Sequence, residues 1–457
     1  MHRTTSRTLL VSAFVPALLL ATSGVAAPQP AARSDTASAA LAPFAVRLGH
    51  EHWQSPPTTA ECRAAANIAC YQPSQLQTAY NLKRLYRRDL DGRGSTIAVV
   101  DAFGSPTARA DLHRFDKDFG LRDPRLQIIQ PAGKVPAFDP NDADMAGWAL
   151  ETSLDLQWAH AMAPRAKLVL VETPVSETEG LHGIPEIVKA ENFVINHNLA
   201  DVITQSFGAT EETFPTKRAL LGQRSAFKNA ARHHVTVLAS SGDAGATDPK
   251  LDGQHFYTHR VNSWPSSDPL VTSIGGTQLH LDAKGHRTGP DNVWNDTAAL
   301  GAVAAGGGGR SHVFVRPPYQ SSVARVVGQR RGTPDISMSA AVDGGVLVRI
   351  GFTGGGLTPG YFIVGGTSES SPEFAGVVAI AKQRAHHRLG LLNPRLYALA
   401  AQRRIGIVDV TRGNNTVTFK QDGATHTVRG FTARRGYDMA SGLGTVNAAS
   451  LTHELAK

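Results

Sequence analysis

Ser95-Thr-Ile-Ala-Val-Val-Asp-Ala-Phe103 is a run of apolar, largely β-branched residues with no alternation of polar and apolar positions. That is the pattern of a strand buried on both faces of a parallel sheet, and it closes on an acid, Asp101. Working outward, comparable runs recur at 126–130, 167–172, 201–206, 235–240 and 270–274, with helical periods at 109–119, 144–161, 185–198 and 217–233 between them. Strand and helix taking turns predict an α/β fold with a mostly parallel central sheet flanked by helices and joined by right-handed crossovers. Functional groups are then expected at the carboxyl ends of the strands.

With 457 residues, 41% hydrophobic content, 44 glycines and 26 prolines, the chain can bury a large core and needs many loops. Its start is basic through Arg7, apolar from 8 to 21 and small-residued at Gly24-Val-Ala-Ala27, which reads as a secretory signal over residues 1–27. The apolar run is shorter than the roughly 18 residues of a spanning helix. Residues 28–57, rich in Ala, Pro and Ser, are expected to form a disordered or processed arm. Residues 58–94 carry Cys62 and Cys70, the two cysteines of the chain. In an exported protein, cysteines this close favour a disulfide over a metal site or a free thiol, so 58–94 is read as a braced lead-in to a core at 95–457. The net charge of +8 is scattered rather than gathered with aromatics, so no nucleic-acid partner is expected. No membrane association is expected after signal removal, and the expectation is a secreted, extracellular monomer.

Three stretches carry candidate chemistry. In Val364-Gly-Gly-Thr-Ser-Glu-Ser-Ser-Pro372 a short buried strand at 361–364 leads to an apolar-faced helix at 372–384, which puts Ser368 on the tight turn between them. Gly365 and Gly366 free the backbone there, and the helix N-terminus favours negative charge beside the hydroxyl; an ordinary Gly/Ser loop has the same composition. Within 144–161, Glu151 and Asp155 stand four apart and share one helix face, beside Leu150, Leu154 and Trp158. Like charges next to an apolar stripe raise each other's proton affinity and can share a proton, although for this helix alone a solvated face with two acids is the simpler reading. In Ala239-Ser-Ser-Gly-Asp-Ala-Gly-Ala246, Asp243 follows a buried strand. It can serve as a neutral acid donating to an oxyanion or merely cap an Asx turn. After Gly275 the pattern loosens, and the glycine run 306–309 reads either as a groove wall or as a connector.

Together these stretches resemble the sedolisins, secreted serine-carboxyl peptidases with a subtilisin-like three-layer fold. The resemblance runs from Gln72-Pro-Ser-Gln-Leu-Gln-Thr-Ala-Tyr80 to Asp438-Met-Ala-Ser-Gly-Leu-Gly444. It includes Glu151-x-x-x-Asp155, Ser240-Ser-Gly-Asp243, the segment from Trp264 to Thr277, Pro334-Asp335 and Gly366-Thr-Ser-Glu-Ser-Ser-Pro372. It implies a peptidase domain at 95–457 acting on a protein or peptide substrate on the acid side of neutrality. Ser368 would be the nucleophile, Glu151 its general base, Asp155 the proton-sharing partner of Glu151, and Asp243 the oxyanion donor. Asp101 either extends the carboxylate network or is a structural strand-end acid. The same resemblance implies one structural Ca2+, held by the side chains of Asp409 and Asp438 and the carbonyls of Val410, Arg434 and Gly436.

The sequence departs from the family in two respects. Only the arm and the cysteine segment stand where sedolisins carry a full-length prodomain, and Phe207 occupies a place where relatives often have Trp. The alternatives are a subtilisin-type Ser-His-Asp peptidase and a non-catalytic exported binding protein on a peptidase scaffold. Against the first, none of the 18 histidines lies in a His-Gly-Thr-His-type segment; against the second, no catalytic position is lost.

Overall fold

The run beginning at Ser95 forms strand β1, Thr96–Ala102, at the heart of an eight-stranded sheet. The structure, a computed structural model, describes residues 44–46, 55–402 and 405–457; the expected signal at 1–27 and most of the arm lie outside the described residues. The other strands of this sheet are β2 Leu126–Ile129, β3 Lys167–Thr173, β4 Val202–Gln205, β5 Thr236–Ser240, β6 Thr272–Gln278, β7 Asn292–Val293 and β8 Ile336–Ser339. Their order is β7-β6-β5-β4-β1-β3-β2, with β8 also on β6, and every pairing except β6–β7 is parallel. The expected α/β architecture is present.

Because strand side chains alternate between faces, each apolar run feeds two cores. Ile97, Val99, Leu168, Leu170, Val202 and Leu238 pack into one. Ala98, Val100, Val169, Val171, Ile203 and Val237 pack into the other, against the helices α3 Ile184–Asn196 and α5 Ser225–Arg232. The segment expected as one helix over 217–233 is divided between α4 Lys217–Gly222 and α5.

The first face is covered by α2 Ala143–Met162 and α6 Thr367–Ala385, with α1 Ala108–Phe119 outside them. Helix α2 is buried almost all round because it lies between this sheet, α6 and a second sheet formed by β9 Gly345–Ile350 and β10 Gly360–Gly365. The Trp158 indole N–H donates to the Leu347 carbonyl at 3.0 Å, tying α2 to β9. A Cβ on Gly376 would meet Met162 Cβ at 2.5 Å, so the α2–α6 crossing is closer than any larger residue permits. The Thr204 and Ser371 hydroxyls, 2.7 Å apart, pin α6 to β4.

Cys62 and Cys70 form a disulfide, bracing the short strand Cys70–Tyr71 that joins the β9 edge of the second sheet. Phe44–Val46, inside the stretch read as an arm, lies antiparallel to β10 on its other side. No helix among the described residues is long and apolar enough to cross a membrane.

Candidate active site

Asp101 is the sixth residue of β1, on the same face as Ile97 and Val99, and therefore points toward α2. Glu151 and Asp155 stand one turn apart on the buried face of α2. Ser206 follows directly on β4, and Asp243 follows the end of β5 by three residues. All of these positions are at carboxyl ends of parallel strands or on the helix that covers them, where an open α/β sheet places its ligands.

Ser368 is not on a turn ahead of the helix: α6 begins at Thr367 and includes Pro372. The expected start, residue 372, is this proline. Here its missing N–H removes only the helical bond to the Ser368 carbonyl, and the Ser206 hydroxyl lies 3.4 Å from that carbonyl. Ser368 thus sits in the opening turn of a buried helix, 7% exposed, with Gly366 at φ +132° before it.

The structure brings Ser368, Glu151, Asp155 and Asp243 together. Burial raises the proton affinity of Glu151 well above the usual carboxylate range; the charges of Asp101 and Asp243 add to this, while the Ser368 hydroxyl and Asp155 oppose it. Neither Glu151 oxygen makes a hydrogen bond of good geometry, but both neighbours stand close enough to act on it. Asp155 is raised by burial, then by Asp101 and Glu151, against the Ser206 hydroxyl that donates to its carboxylate at 2.8 and 3.0 Å. The two acids act on each other, with the Ser206 hydroxyl on Asp155 and the Ser368 hydroxyl beside Glu151.

On the other side, the Thr367 N–H and hydroxyl each lie 2.7 Å from Asp243 Oδ1 as donors. Its Oδ2 has no hydrogen-bond partner among the described residues and sits against Gly366, where an added Cβ would meet it at 2.6 Å. Burial pushes this carboxyl up to about 6, against the two Thr367 donors. A carboxyl accepting through one oxygen and free at the other is placed to donate from the second once protonated. The glycine run 306–309 packs onto this loop as a backbone wall: Gly307 N–H donates to the Gly242 carbonyl at 2.6 Å, and Ala305 N–H to the Asp243 carbonyl at 2.9 Å. A Cβ on Gly307 would overlap the Ser241 carbonyl.

Asp101 is fully buried and is pushed up to about 7 by burial, with Glu172 adding and Thr152 opposing. It acts on both Glu151 and Asp155, so it belongs to the carboxylate network. Phe207 packs on Trp148 with ring centroids 6.4 Å apart and has no N–H to offer. The donor to Asp155 is Ser206, which sequence reading missed because one serine after a strand carries no pattern. Ser368 has no histidine partner among the described residues; the Asp116–His160 pair, 3.2 Å apart and fully buried, lies at the far end of α2.

The expected calcium ligands gather in one C-terminal loop region. Asp409 accepts from the Gly436 N–H at 2.8 Å, and Asp438 from the N–H groups of Arg434, Ala440 and Ser441. No cluster of three or more His, Cys, Asp or Glu is found among the described residues. The carbonyls of Val410, Arg434 and Gly436, however, accept no hydrogen bond among the described residues. Carboxylates and backbone carbonyls are the oxygen ligands a hard cation takes.

Residues 143–395 match the model of the subtilase family. The chain is 30% identical over 394 residues to kumamolisin of Bacillus sp. (strain MN-32), an alignment covering 84% of this chain and 63% of that protein. It is 26% identical over 396 residues to sedolisin of Pseudomonas sp. (strain 101), covering 86% and 63%. It thus spans just under two thirds of the length of these curated relatives. Among solved structures, Pseudomonas sedolisin, a serine-carboxyl proteinase complexed with two molecules of pseudo-iodotyrostatin, matches with a TM-score of 0.69 and 26% identity over 84% of this chain and 98% of that one. With the family model matching more than half its length and sedolisins matching it in both sequence and fold, the chain belongs to the subtilase family and, within it, to the sedolisins.

Proposed function

We propose that the protein is a secreted serine-carboxyl endopeptidase that works on the acid side of neutrality. The observation that carries this reading is the pair Glu151–Asp155 on one side of Ser368 and the free oxygen of Asp243 on the other. The Ser368 hydroxyl makes only a 3.5 Å contact with the Ser206 carbonyl, so rotation about one bond turns its proton to Glu151. As Oγ attacks the peptide carbonyl, Glu151 takes that proton, and it returns it to the leaving nitrogen when the C–N bond breaks. Protonated Asp243 donates to the oxyanion, a contact worth about 3 kcal/mol of barrier in comparable sites. In the second half Glu151 takes a proton from water, which attacks the acyl carbon, and gives it to Ser368 Oγ as the acyl group departs. Asp155 holds the shared proton and Ser206 fixes Asp155.

Protein or peptide substrates follow from the peptidase relatives. The disulfide and the signal-like start support export. One calcium ion would be held by Asp409, Asp438 and the carbonyls of Val410, Arg434 and Gly436; it supplies charge that closes the loop and takes no part in bond breaking.

The test is digestion of a peptide library across pH 3 to 8, with mass spectrometric trapping of the acyl-enzyme. Glu151→Gln and Ser368→Ala should each lower kcat by about three orders of magnitude or more, with the acyl adduct confined to Ser368. Retained activity in Glu151→Gln would remove the carboxyl base from the mechanism and favour a histidine-based one.

A further inference from the structure

We propose that Glu172 is a positioning residue for this reaction: its carboxylate, seated on Gly104 at the end of β3, holds a proton on Asp101 and so confines the negative charge of the buried carboxyl string to the α2 pair, Glu151 and Asp155, beside Ser368. The inference rests on the peptidase reading above and deepens it.

Strands β1 and β3 pair in parallel with Asp101 opposite Glu172. Opposed residues of a ladder present their side chains to the same face. Here it is the α2 face, since Val99 and Leu170, two residues earlier on each strand, pack in the core with Leu154 and Trp158. Two adjacent carboxyls in that setting do not both ionise. Asp101 is wholly enclosed, and neither of its oxygens makes a hydrogen bond of good geometry among the described residues. Glu172 has an outlet: its Oε2 accepts from the Gln130 side-chain amide at 2.8 Å, and Gln130 is exposed just past the end of β2. The charge therefore belongs on Glu172 and the proton on Asp101.

The chain is shaped for this contact. After β1 the backbone turns through Phe103 at φ +57° and Gly104 at φ +72°, a region that side chains rarely enter. The space a Cβ on Gly104 would need is filled by Glu172 Oε1. A strained non-glycine residue followed by a glycine whose missing side chain is replaced by a carboxylate marks a built seat.

The groups facing Asp101 are Glu151, Asp155 and the Thr152 hydroxyl from α2, and Glu172 from β3; those facing Glu172 are Asp101 and Gln130. No Lys, Arg or His acts on Asp101 or Glu172 among the described residues. When the group of Asp101, Asp155 and Glu151 gives up one proton, Glu172, which stands opposite Asp101 and acts on it directly, disfavours the charge there and leaves it to the pair on α2. Without Glu172 the same charge spreads toward Asp101, and Glu151 keeps its proton for more of the time.

The experiment is the pH profile of kcat and KM for Glu172→Gln, with Gln130→Ala as a second variant that weakens the charge on Glu172 from outside. In Glu172→Gln the first ionisation of the string becomes easier, so the acid limb should move down by about half to one pH unit while plateau kcat falls about tenfold and KM changes less than twofold. Gln130→Ala should move the limb the same way by less, and Glu172→Asp should recover part of the loss. An unmoved acid limb in both variants, whether kcat is unchanged or uniformly lower, overturns the inference. Ser368→Ala and Glu151→Gln run alongside. If either keeps the wild-type rate, the peptidase reading has failed; if both are dead and Glu172→Gln has the parental profile, only the role of Glu172 has.

Discussion

In the proposed mechanism the Asp243 carboxyl must accept from Thr367 and donate to substrate, and only its protonated form does both. Its folded value of about 6 stands above the ordinary 3.8 because burial outweighs the Thr367 donors. The donor form is therefore complete at pH 4 and is lost as pH rises through about 6, which sets the alkaline limb of the rate. Asparagine offers an N–H donor at every pH. Asp243→Asn should push the alkaline limb of kcat/KM above pH 8 at some cost in plateau rate, and Asp243→Ala should lose about 10²- to 10³-fold at pH 4. An unmoved limb in the Asn variant would assign that limb to another group. Local sequence left Asp243 as either an oxyanion donor or an Asx-turn cap, and the resemblance to the sedolisins singled it out. The local residues gave no sign of Ser206, whose only distinction is that the fold carries it to Asp155.

Helix α2 shows how much one element can reveal. The four-residue interval between Glu151 and Asp155 guarantees a shared face in any α-helix, but which way that face turns is set by α6, β9 and the sheet around it. Helix α6 shows the opposite: its Gly-Thr-Ser start was visible, yet its first turn was placed too late because Pro372 lies inside the helix. In the C-terminal loop, Asp409 and Asp438 both accept from the short segment 434–436, and the open carbonyls of that segment motivate the calcium proposal. Chelation of the purified protein should lower Tm by about 5 °C or more, with calcium restoring it, while kcat below the transition stays unchanged. Asp438→Asn should reproduce the chelated Tm. Indifference of Tm to both chelator and calcium would remove the ion from the fold.

Across the whole molecule, acids are buried far beyond the site. Glu179, Glu191 and Asp248 are each pushed up to about 8 by burial, with Asp101 at about 7. A carboxyl whose folded value exceeds its unfolded one binds its proton more tightly in the native state. The stability it contributes is thus full below about pH 4 and is lost as pH rises through 7 to 8. Together these groups make neutral solution costly by several kcal/mol, to order of magnitude. Tm should be highest near pH 4 to 5 and lower by about 10 °C or more at pH 8. Glu191, raised by burial alone and with both oxygens unpartnered, is on α3 outside the catalytic constellation. Glu191→Gln should raise Tm at pH 8, leave Tm at pH 4 nearly unchanged and leave kcat alone. A Tm that is flat or rising from pH 5 to 8 would contradict this account.

The sequence by itself determined the alternation of strand and helix, the serine, the spaced pair of acids and the glycine-set aspartate, because each is written in residues a few positions apart and ruled by the period of one element. Only the tertiary structure decided that Ser206 supports Asp155, that the glycine run walls the Asp243 loop, and that Asp101 faces Glu172 across two strands. Those relations depend on register and crossing geometry, which arise when distant segments compete for the same buried space and leave no mark in any short stretch of the chain.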